Sequence, residues 1–282
     1  MITWVVGAGS WGMRVAAKLD AMPGVVLGGM VDSDREKHHG RALTPQGRWV
    51  SESLADVLYA ATGGVSSMGV VVAVPPCEQK RVVLQALRGG VKHVRVEKPC
   101  GLSSADACEV RDAAAEAGAV VSVGFTLVAL DAYQFVCRLL AEADVDVLGV
   151  SGLRLSSAKP AHSVDAVLDL GVHTASIAAL FDAPLVELVT GFDCGTSSRT
   201  TRIVTTKGDI VVDEFAQDQR VTLPNGNEVW FNGDDPLQRE LRAFVDGVPL
   251  CGVELAIEAH GRLEDIPGGA IDVTPRMGEV AA

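Results

Sequence analysis

Short apolar runs alternate with amphipathic segments along the first half of the chain. The apolar runs predict strands at residues 2–6, 25–31, 70–74, 93–96 and 120–123. The segments between them predict helices near residues 11–21, 53–61, 78–88 and 103–117. Several of the strands are apolar at successive positions, which is typical of a parallel sheet with helices on both faces. The first half therefore predicts a doubly wound α/β domain.

The pattern changes after Gly124. Helical patterns at residues 130–142 and 165–181 precede a series of short strand patterns, at residues 185–192, 199–206, 210–214, 220–223 and 228–231. The turn sequences Lys207-Gly208-Asp209 and Asn225-Gly226 lie between strands and predict antiparallel neighbours. Two more helical patterns follow, at residues 236–245 and 254–265. The sequence thus predicts two domains, residues 1–124 and residues 125–282, the second of the α+β class.

The first predicted strand ends in a glycine-rich turn that opens the first helix, with the sequence Gly7-Ala8-Gly9-Ser10-Trp11-Gly12. In this pattern the first glycine allows a tight turn, the second lets the backbone approach a pyrophosphate, and the third lets helix and strand pack closely. The helix N-terminus adds free N–H donors. Asp32 ends the second strand about 20 residues after Gly12, the spacing at which a carboxylate reaches an adenosine ribose. Together these features predict a dinucleotide site.

The residues around Asp32 bear on the choice of cofactor. Asp32 predicts NAD, because a carboxylate accepts hydrogen bonds from both ribose hydroxyls and repels a 2′-phosphate. Arg35 leaves NADP open, since an arginine just past this position can stack on adenine or hold a 2′-phosphate. Pro75 follows the 70–74 strand at the carboxyl edge of the sheet and is a further candidate for cofactor contact, with a simple strand stop as the alternative.

Candidate catalytic groups occur in both halves. Glu97-Lys98-Pro99 ends the 93–96 strand at the same edge, where Glu97 could contact the cofactor and Lys98 could donate a hydrogen bond to a reacting oxygen. A solvated turn is the alternative. Asp169 and His173 lie four positions apart in a helical pattern and so share one helix face. A neutral histidine can accept a hydroxyl proton at physiological pH, whereas a capping aspartate and a core histidine are the structural alternative.

These motifs resemble, in their order and spacing, those of the Gfo/Idh/MocA oxidoreductases, the relatives of glucose–fructose oxidoreductase and inositol dehydrogenase. The matching segments are the glycine-rich turn, Val31-Asp32, residues 93–99, Val123-Gly124-Phe125 and Asp169-x-Gly171-x-His173. The resemblance implies a Rossmann domain followed by a substrate-binding and oligomerisation domain with a large, open, mainly antiparallel sheet. It also implies hydride exchange between nicotinamide and a hydroxyl or carbonyl carbon of a sugar, cyclitol or related small molecule. Lys98 then resembles the active-site lysine, Asp169 the substrate-orienting carboxylate and His173 the general acid/base.

The chain also departs from the pattern of these relatives. Val128 stands where many of them carry an arginine, and Gln79 where many carry a histidine. The alternatives are therefore a reductase of imines or non-sugar carbonyls, and a non-catalytic sensor that binds a dinucleotide. A metal site built from His162, Asp165, Asp169 and His173 is a weaker reading, because a nicotinamide enzyme needs no metal and acidic residues near a helix start are often caps.

The composition limits the classes of molecule that the protein is expected to bind. The 282 residues carry 24 Lys and Arg against 36 Asp and Glu, a net charge of −12, which is the wrong sign for a nucleic-acid surface. The six cysteines are scattered without metal-ligand spacing, and the N-terminus lacks a basic leader. The longest apolar run is far shorter than the roughly 20 residues that cross a bilayer. We expect a cytoplasmic homodimer or homotetramer acting on a small molecule.

Overall fold

A six-stranded parallel sheet forms the first part of the fold. The computed structural model describes residues 1–34, 50–61, 64–159, 164–214, 218–233 and 235–275. The strands of this sheet lie in the order β3-β2-β1-β4-β5-β6. They are β1 (Ile2–Val6), β2 (Val26–Val31), β3 (Val50–Ser51), β4 (Met68–Val72), β5 (His93–Glu97) and β6 (Val120–Gly124). Chain order reverses between β1 and β4, as in a dinucleotide-binding sheet, and β4 is buried at every position.

Within the described ranges, four helices lie between these strands. They are α1 (Ser10–Asp20), α2 (Leu54–Ala60), α3 (Pro76–Arg88) and α4 (Ser104–Ala117), with a 3₁₀ turn at Val65–Ser67. Local chemistry sets their ends. The side chain of Ser103 accepts the Asp106 N–H at the start of α4, and Gly118 ends this helix in the left-handed region at φ +56°. The α/β class predicted from the sequence is confirmed.

A seven-stranded mixed sheet forms the second part, in the order β12-β11-β10-β9-β7-β8-β13. Its strands are β7 (Val147–Leu155), β8 (Leu185–Gly191), β9 (Ser198–Thr205), β10 (Ile210–Asp213), β11 (Gln219–Thr222), β12 (Glu228–Phe231) and β13 (Ile271–Asp272). Among the described strands of this sheet, β8 pairs in parallel with β7 and with β13, and the other pairs are antiparallel. The predicted turns at Gly208 and Asn225-Gly226 do connect antiparallel neighbours.

The remaining helices include a change of helical type. A 3₁₀ turn at Thr126–Ala129 precedes α5 (Asp131–Ala143). The pattern at 165–181 predicts one helix, but the structure has a π-helical turn at Val167–Gly171 that continues into α6 (Val172–Leu180). The last two helices are α7 (Pro236–Val245) and α8 (Val253–Glu264). None of the helices in the described ranges has both the length and the apolar character needed to cross a bilayer.

The chain divides into two compact units. The first unit is Met1–Gly124 with Leu237–Glu254, and the second is Phe125–Pro236 with Leu255–Ala282. The division into two domains at Gly124 stays a prediction. In the structure, the later segment Leu237–Glu254 groups with the first unit. Leu237, Leu241 and Phe244 of this segment are buried in the same apolar cluster as Val15 and Leu19 of α1. The C-terminal region therefore completes the core of the first unit.

The sequence pattern missed β7, which is an interior strand of the second sheet and lies between β9 and β8. Its sequence contains Gly149, Gly152 and Arg154, which interrupt the apolar alternation expected of a strand. The structure explains these residues. A Cβ at Gly152 would come within 2.6 Å of Cγ2 of Thr174, so α6 packs closely against the strand, and Arg154 is buried in a network of hydrogen bonds.

Candidate functional site

The carboxyl ends of the parallel strands present the candidate cofactor residues at one edge of the first sheet. Gly7 follows β1, Asp32 follows β2, and Lys98 follows β5. Backbone hydrogen bonds join the loops. The Gly7 N–H donates to the Val31 carbonyl at 2.8 Å, and the Ala73 N–H donates to the Val6 carbonyl at 2.7 Å. This edge is where ligands bind in open α/β sheets.

The glycine-rich turn has the shape that a pyrophosphate requires. Gly7 has φ +101°, and a Cβ there would lie 2.5 Å from the Ala73 carbonyl oxygen. A Cβ at Gly12 would clash with the Gly7 carbonyl oxygen, whereas a Cβ at Gly9 would meet no atom within 4 Å. Gly9 thus faces open space, and the first turn of α1 contains no acidic residue. The N–H groups and partial positive charge of this helix start suit an anionic phosphate.

Asp32 is held in place by two backbone amides. Its Oδ2 accepts the Ala8 N–H at 2.7 Å and its Oδ1 accepts the Asp34 N–H at 2.9 Å. An ionised carboxylate is an acceptor-only group with several lone pairs, which suits the hydroxyl donors of a ribose. The glycine turn and Asp32 therefore fit the adenosine half of a dinucleotide. Arg35 lies outside the described residues.

Three other candidates lie on the surface at the same edge. Ser10 and Trp11 occupy the first turn of α1 and are exposed. The Arg14 guanidinium lies over the Trp11 ring, 5.4 Å from its centroid, which is within cation–π range. Pro75 is exposed and precedes α3, where its carbonyl accepts the Glu78 N–H at 2.9 Å. Pro75 is therefore the N-cap residue, directly before the first residue of α3.

Glu97 lies in a buried ion cluster. The guanidinium of Arg95 donates from Nη1 to Oε1 of Glu97 at 2.5 Å and from Nη2 to Oε2 of Glu240 at 2.9 Å. All three residues are nearly inaccessible to solvent. Burial by itself lowers the pKa of Arg95, but the two carboxylates outweigh burial and raise that pKa above its ordinary value. The Arg95 side chain therefore links β5 to α7, and the contact of Glu97 with the cofactor stays a prediction.

Lys98 begins a turn that a neighbouring helix holds. It is half-buried, and the Lys98–Pro99 peptide bond is cis. Gln79 of α3 is 1% exposed and its side chain hydrogen-bonds to the backbone of this turn. The sequence identified Gln79 only as a departure from related chains. One signal in the sequence could have identified Gln79. It is a polar residue, three positions after Pro76, on the face of α3 that lies toward the sheet.

In the second unit, Asp169 lies within the π-helical turn and His173 at the start of α6. Both side chains are half-buried. π-helical turns inside helices are rare and occur frequently at functional sites. Gly171 lies between the two residues, and a Cβ there would come 2.6 Å from Cδ2 of Leu188, so the turn packs directly on the sheet. The sequence predicts that Asp169 and His173 lie in a single α-helix. In the structure, Asp169 lies in a π-helical turn and His173 in the α-helix that continues from it.

Asp165 caps this segment. Its Oδ1 accepts the Leu168 N–H at 2.7 Å, and its carbonyl accepts the Asp169 N–H at 3.0 Å. His162 lies outside the described residues. Within the ranges that the structure describes, no cluster of three or more His, Cys, Asp or Glu side chains could hold a metal ion.

A buried network fixes the register of α6. Arg154 donates from Nε to Thr174 Oγ1 at 2.6 Å and from Nη1 to Glu214 Oε2 at 2.6 Å. Thr201 and the Tyr133 hydroxyl complete the network on Glu214. Since Thr174 adjoins His173, this network positions the helical turn that carries the candidate acid/base. The sequence did not single out any of these residues.

The first unit therefore has the fold and the cradle of a dinucleotide-binding Rossmann domain. Residues 3–125 match the Gfo/Idh/MocA family model, described as an oxidoreductase family with an NAD-binding Rossmann fold. This match confirms the predicted resemblance to that family and the prediction of an NAD(P)-dependent oxidoreductase.

Solved structures resemble the chain over nearly its whole length. One is KijD10, a 3-ketoreductase from Actinomadura kijaniata in complex with NADP and TDP-benzene, with a TM-score of 0.77 and 18% identity, covering 98% of this chain and 99% of that one. Another is the UDP-N-acetylglucosamine 3-dehydrogenase GnnA from Acidithiobacillus ferrooxidans, with a TM-score of 0.78 and 19% identity, covering 94% of this chain and 96% of that one. At these identities the likeness is one of fold. A search of curated protein sequences finds no match.

Proposed function

We propose that the protein is an NAD(P)-dependent dehydrogenase or ketoreductase of sugars, with nucleotide-linked hexoses as the first substrate class to test. The observation that carries the proposal is the single sheet edge that presents the glycine turn, Asp32 and Lys98. The fold neighbours support the substrate class, because GnnA is named a UDP-N-acetylglucosamine 3-dehydrogenase and KijD10 is a 3-ketoreductase in complex with TDP-benzene.

The chemistry assigns a distinct role to each candidate. Bound nicotinamide supplies the acceptor or donor of hydride at its C4 position. In the oxidation direction, His173 takes the hydroxyl proton as the substrate carbon loses its hydride, and the Lys98 ammonium donates a hydrogen bond to the developing alkoxide. Asp169 orients the substrate or the imidazole. In the reduction direction, His173 returns the proton to the oxygen while bound NAD(P)H supplies the hydride to the carbonyl carbon, with Lys98 and Asp169 in the same roles.

Kinetics of single variants test these roles. With UDP-N-acetylglucosamine and NAD⁺ or NADP⁺, followed by NAD(P)H absorbance, we expect His173→Asn to lower kcat by about 10²–10⁴-fold. Lys98→Met should lower kcat with little change in the Kd for NAD(H), measured by titration. Lys92→Met is a matched control, since Lys92 precedes the opposite end of β5 and is half-buried like Lys98.

The outcome separates the competing functions. Wild-type turnover in both Lys98→Met and His173→Asn would overturn the catalytic assignment. Cofactor binding without turnover, across a panel of nucleotide sugars, free sugars and cyclitols, would favour the sensor instead. Turnover restricted to imines or non-sugar ketones would correct the substrate class.

We also propose that the protein is a homodimer or homotetramer through the second sheet. Pairing places Leu153, Val189 and Ile271 side by side on one face. The same row continues through the polar residues Thr200, Asp213 and Arg220 to Trp230. Arg154 contacts α6, so its neighbour Leu153 faces away from that helix. Trp230 is 58% exposed and Ile271 53% exposed. Exposed apolar side chains gathered on one face of a sheet are a common feature of interfaces between subunits, and here they flank a polar middle. A cytoplasmic location stays a prediction.

A further inference from the structure

The side chain of Gln79 joins the loops that follow β4 and β5. Its Nε2 donates to the Lys98 carbonyl at 3.1 Å and to the Val74 carbonyl at 3.4 Å. Its Oε1 accepts the Cys100 N–H at 3.0 Å and the Gly101 N–H at 2.9 Å. One buried amide thus satisfies polar backbone groups on both sides of the Lys98–Pro99 bond and ties them to the end of β4.

An amide suits this position. The Lys98 and Val74 carbonyls need a donor, and the Cys100 and Gly101 amides need an acceptor, in one planar group. A carboxylate could not donate, and its charge would face two carbonyl oxygens. An apolar side chain would leave buried backbone groups unsatisfied, which costs far more than a hydrogen bond contributes. The contacts therefore specify glutamine chemically as well as by size.

We propose that Gln79 is the positioning residue for Lys98. The proposal rests on the role of Lys98 given above. Three of the four hydrogen bonds of Gln79 fall on residues 98, 100 and 101, so the orientation of the Lys98 backbone depends on this side chain. Gln79 lies in the first turns of α3, whose own start at Pro76 is fixed by the loop after β4. The Gln79 amide thereby holds the turn at Lys98 in place at the sheet edge that carries the glycine-rich turn.

Amide exchange tests the contact without any substrate. In Gln79→Met, which removes all four hydrogen bonds at similar volume, we expect exchange at the Gly101 amide to accelerate about tenfold or more. The Leu102 amide is an internal control, since it donates to the Asp106 carboxylate at 2.9 Å and not to Gln79. The Cys100 amide also donates to the Glu97 carbonyl at 3.3 Å, so its exchange should change less.

Kinetics then test whether the contact acts through Lys98. We expect Gln79→Met and Gln79→Glu to lower kcat by about tenfold to a hundredfold, with KM and the Kd for NAD(H) changing less than twofold, because small misplacements of a reacting group cost this much. Gln85→Glu, the same change elsewhere on α3, should leave kcat unchanged. In the Lys98→Met background, Gln79→Met should cost little further activity, whereas a merely structural role would give additive losses.

The possible failures are distinct. Unchanged exchange at Gly101 in Gln79→Met, or additive losses of kcat with Lys98→Met, would overturn the positioning role of Gln79. Wild-type kcat in Lys98→Met would instead overturn the proposed function, while faster exchange at Gly101 would still establish the hydrogen bonds. Gln79→Glu serves as the second variant where Gln79→Met does not fold, with the same Gly101 readout.

Discussion

Replacing Glu214 by leucine removes the charge that balances Arg154 inside the second unit. Arg154 is 2% exposed and Glu214 5% exposed. The carboxylate accepts from Nη1 and Nη2 of the guanidinium at 2.6 and 2.7 Å and from Thr201 Oγ1 at 2.8 Å. Burial lowers the pKa of Arg154, but the charge and hydrogen bonds of Glu214 outweigh it and raise that pKa above its ordinary value. Arg154 stays charged when Glu214 is removed, because a guanidinium group keeps its proton inside proteins at neutral pH.

The cost follows from leaving this charge uncompensated. Breaking one partner of a buried ion pair typically costs about 3–5 kcal/mol, so Glu214→Leu should destabilise the second unit by that amount. Replacing both partners, as in Arg154→Met with Glu214→Leu, should recover most of the loss, since a buried pair and a well-packed apolar substitute are often equivalent. The exposed pair of Arg202 and Asp209 in the same sheet is the control, and Asp209→Asn should cost no more than about 1 kcal/mol.

Hydrogen exchange measures the change separately in each unit. The most protected amides of β7 and β9 report on the second unit, and those of β1 and β4 serve as an internal reference in the first. At about 1.4 kcal/mol for each factor of ten, Glu214→Leu should lower protection in β7 by roughly two to four powers of ten. A loss below about 1 kcal/mol, or a double variant less stable than Glu214→Leu, would refute the reasoning.

Three further predictions concern the cofactor, the thiols and the assembly. Asp32→Ala should weaken NAD(H) at least about tenfold in a binding titration and NADP(H) less, whereas tighter NADP(H) binding by the wild type would contradict the preference for NAD. Iodoacetamide at mildly alkaline pH should modify exposed Cys77 first, because burial raises the pKa of Cys100 and of Cys251 to about 12. The pKa of these two thiols is higher in the folded protein than in the unfolded chain. The free energy of unfolding should therefore fall as the pH rises from about 9 towards 12, and denaturation at several pH values measures this change. Trp230→Asp should lower the mass measured by light scattering, and a monomeric wild type at micromolar concentration would count against the proposed interface.

The candidate cofactor site could be predicted from the sequence because its parts are local. Gly7, Gly9 and Gly12 act through backbone space within one turn, and the structure shows the clashes and the opening that their spacing indicates. Asp32 follows directly from the end of β2. Parallel strands carry their loops to a common edge, so Lys98 could be placed there as well, once the alternation of strands and helices was recognised.

Contacts between distant parts of the chain determine the features that could not be predicted from the sequence. Arg95 and Arg154 interrupt apolar patterns and look unfavourable in a strand, yet each is buried because a carboxylate far along the chain pairs with it, Glu240 in one case and Glu214 in the other. Such pairing leaves no local signal in the sequence. For the same reason β7 was missed and the packing of residues 237–254 with the first unit was not foreseen. The sequence by itself determined the turn that would hold a dinucleotide, whereas only the tertiary structure decided which buried polar groups, Gln79 among them, hold the candidate catalytic residues in place, because their hydrogen-bond partners meet only after folding.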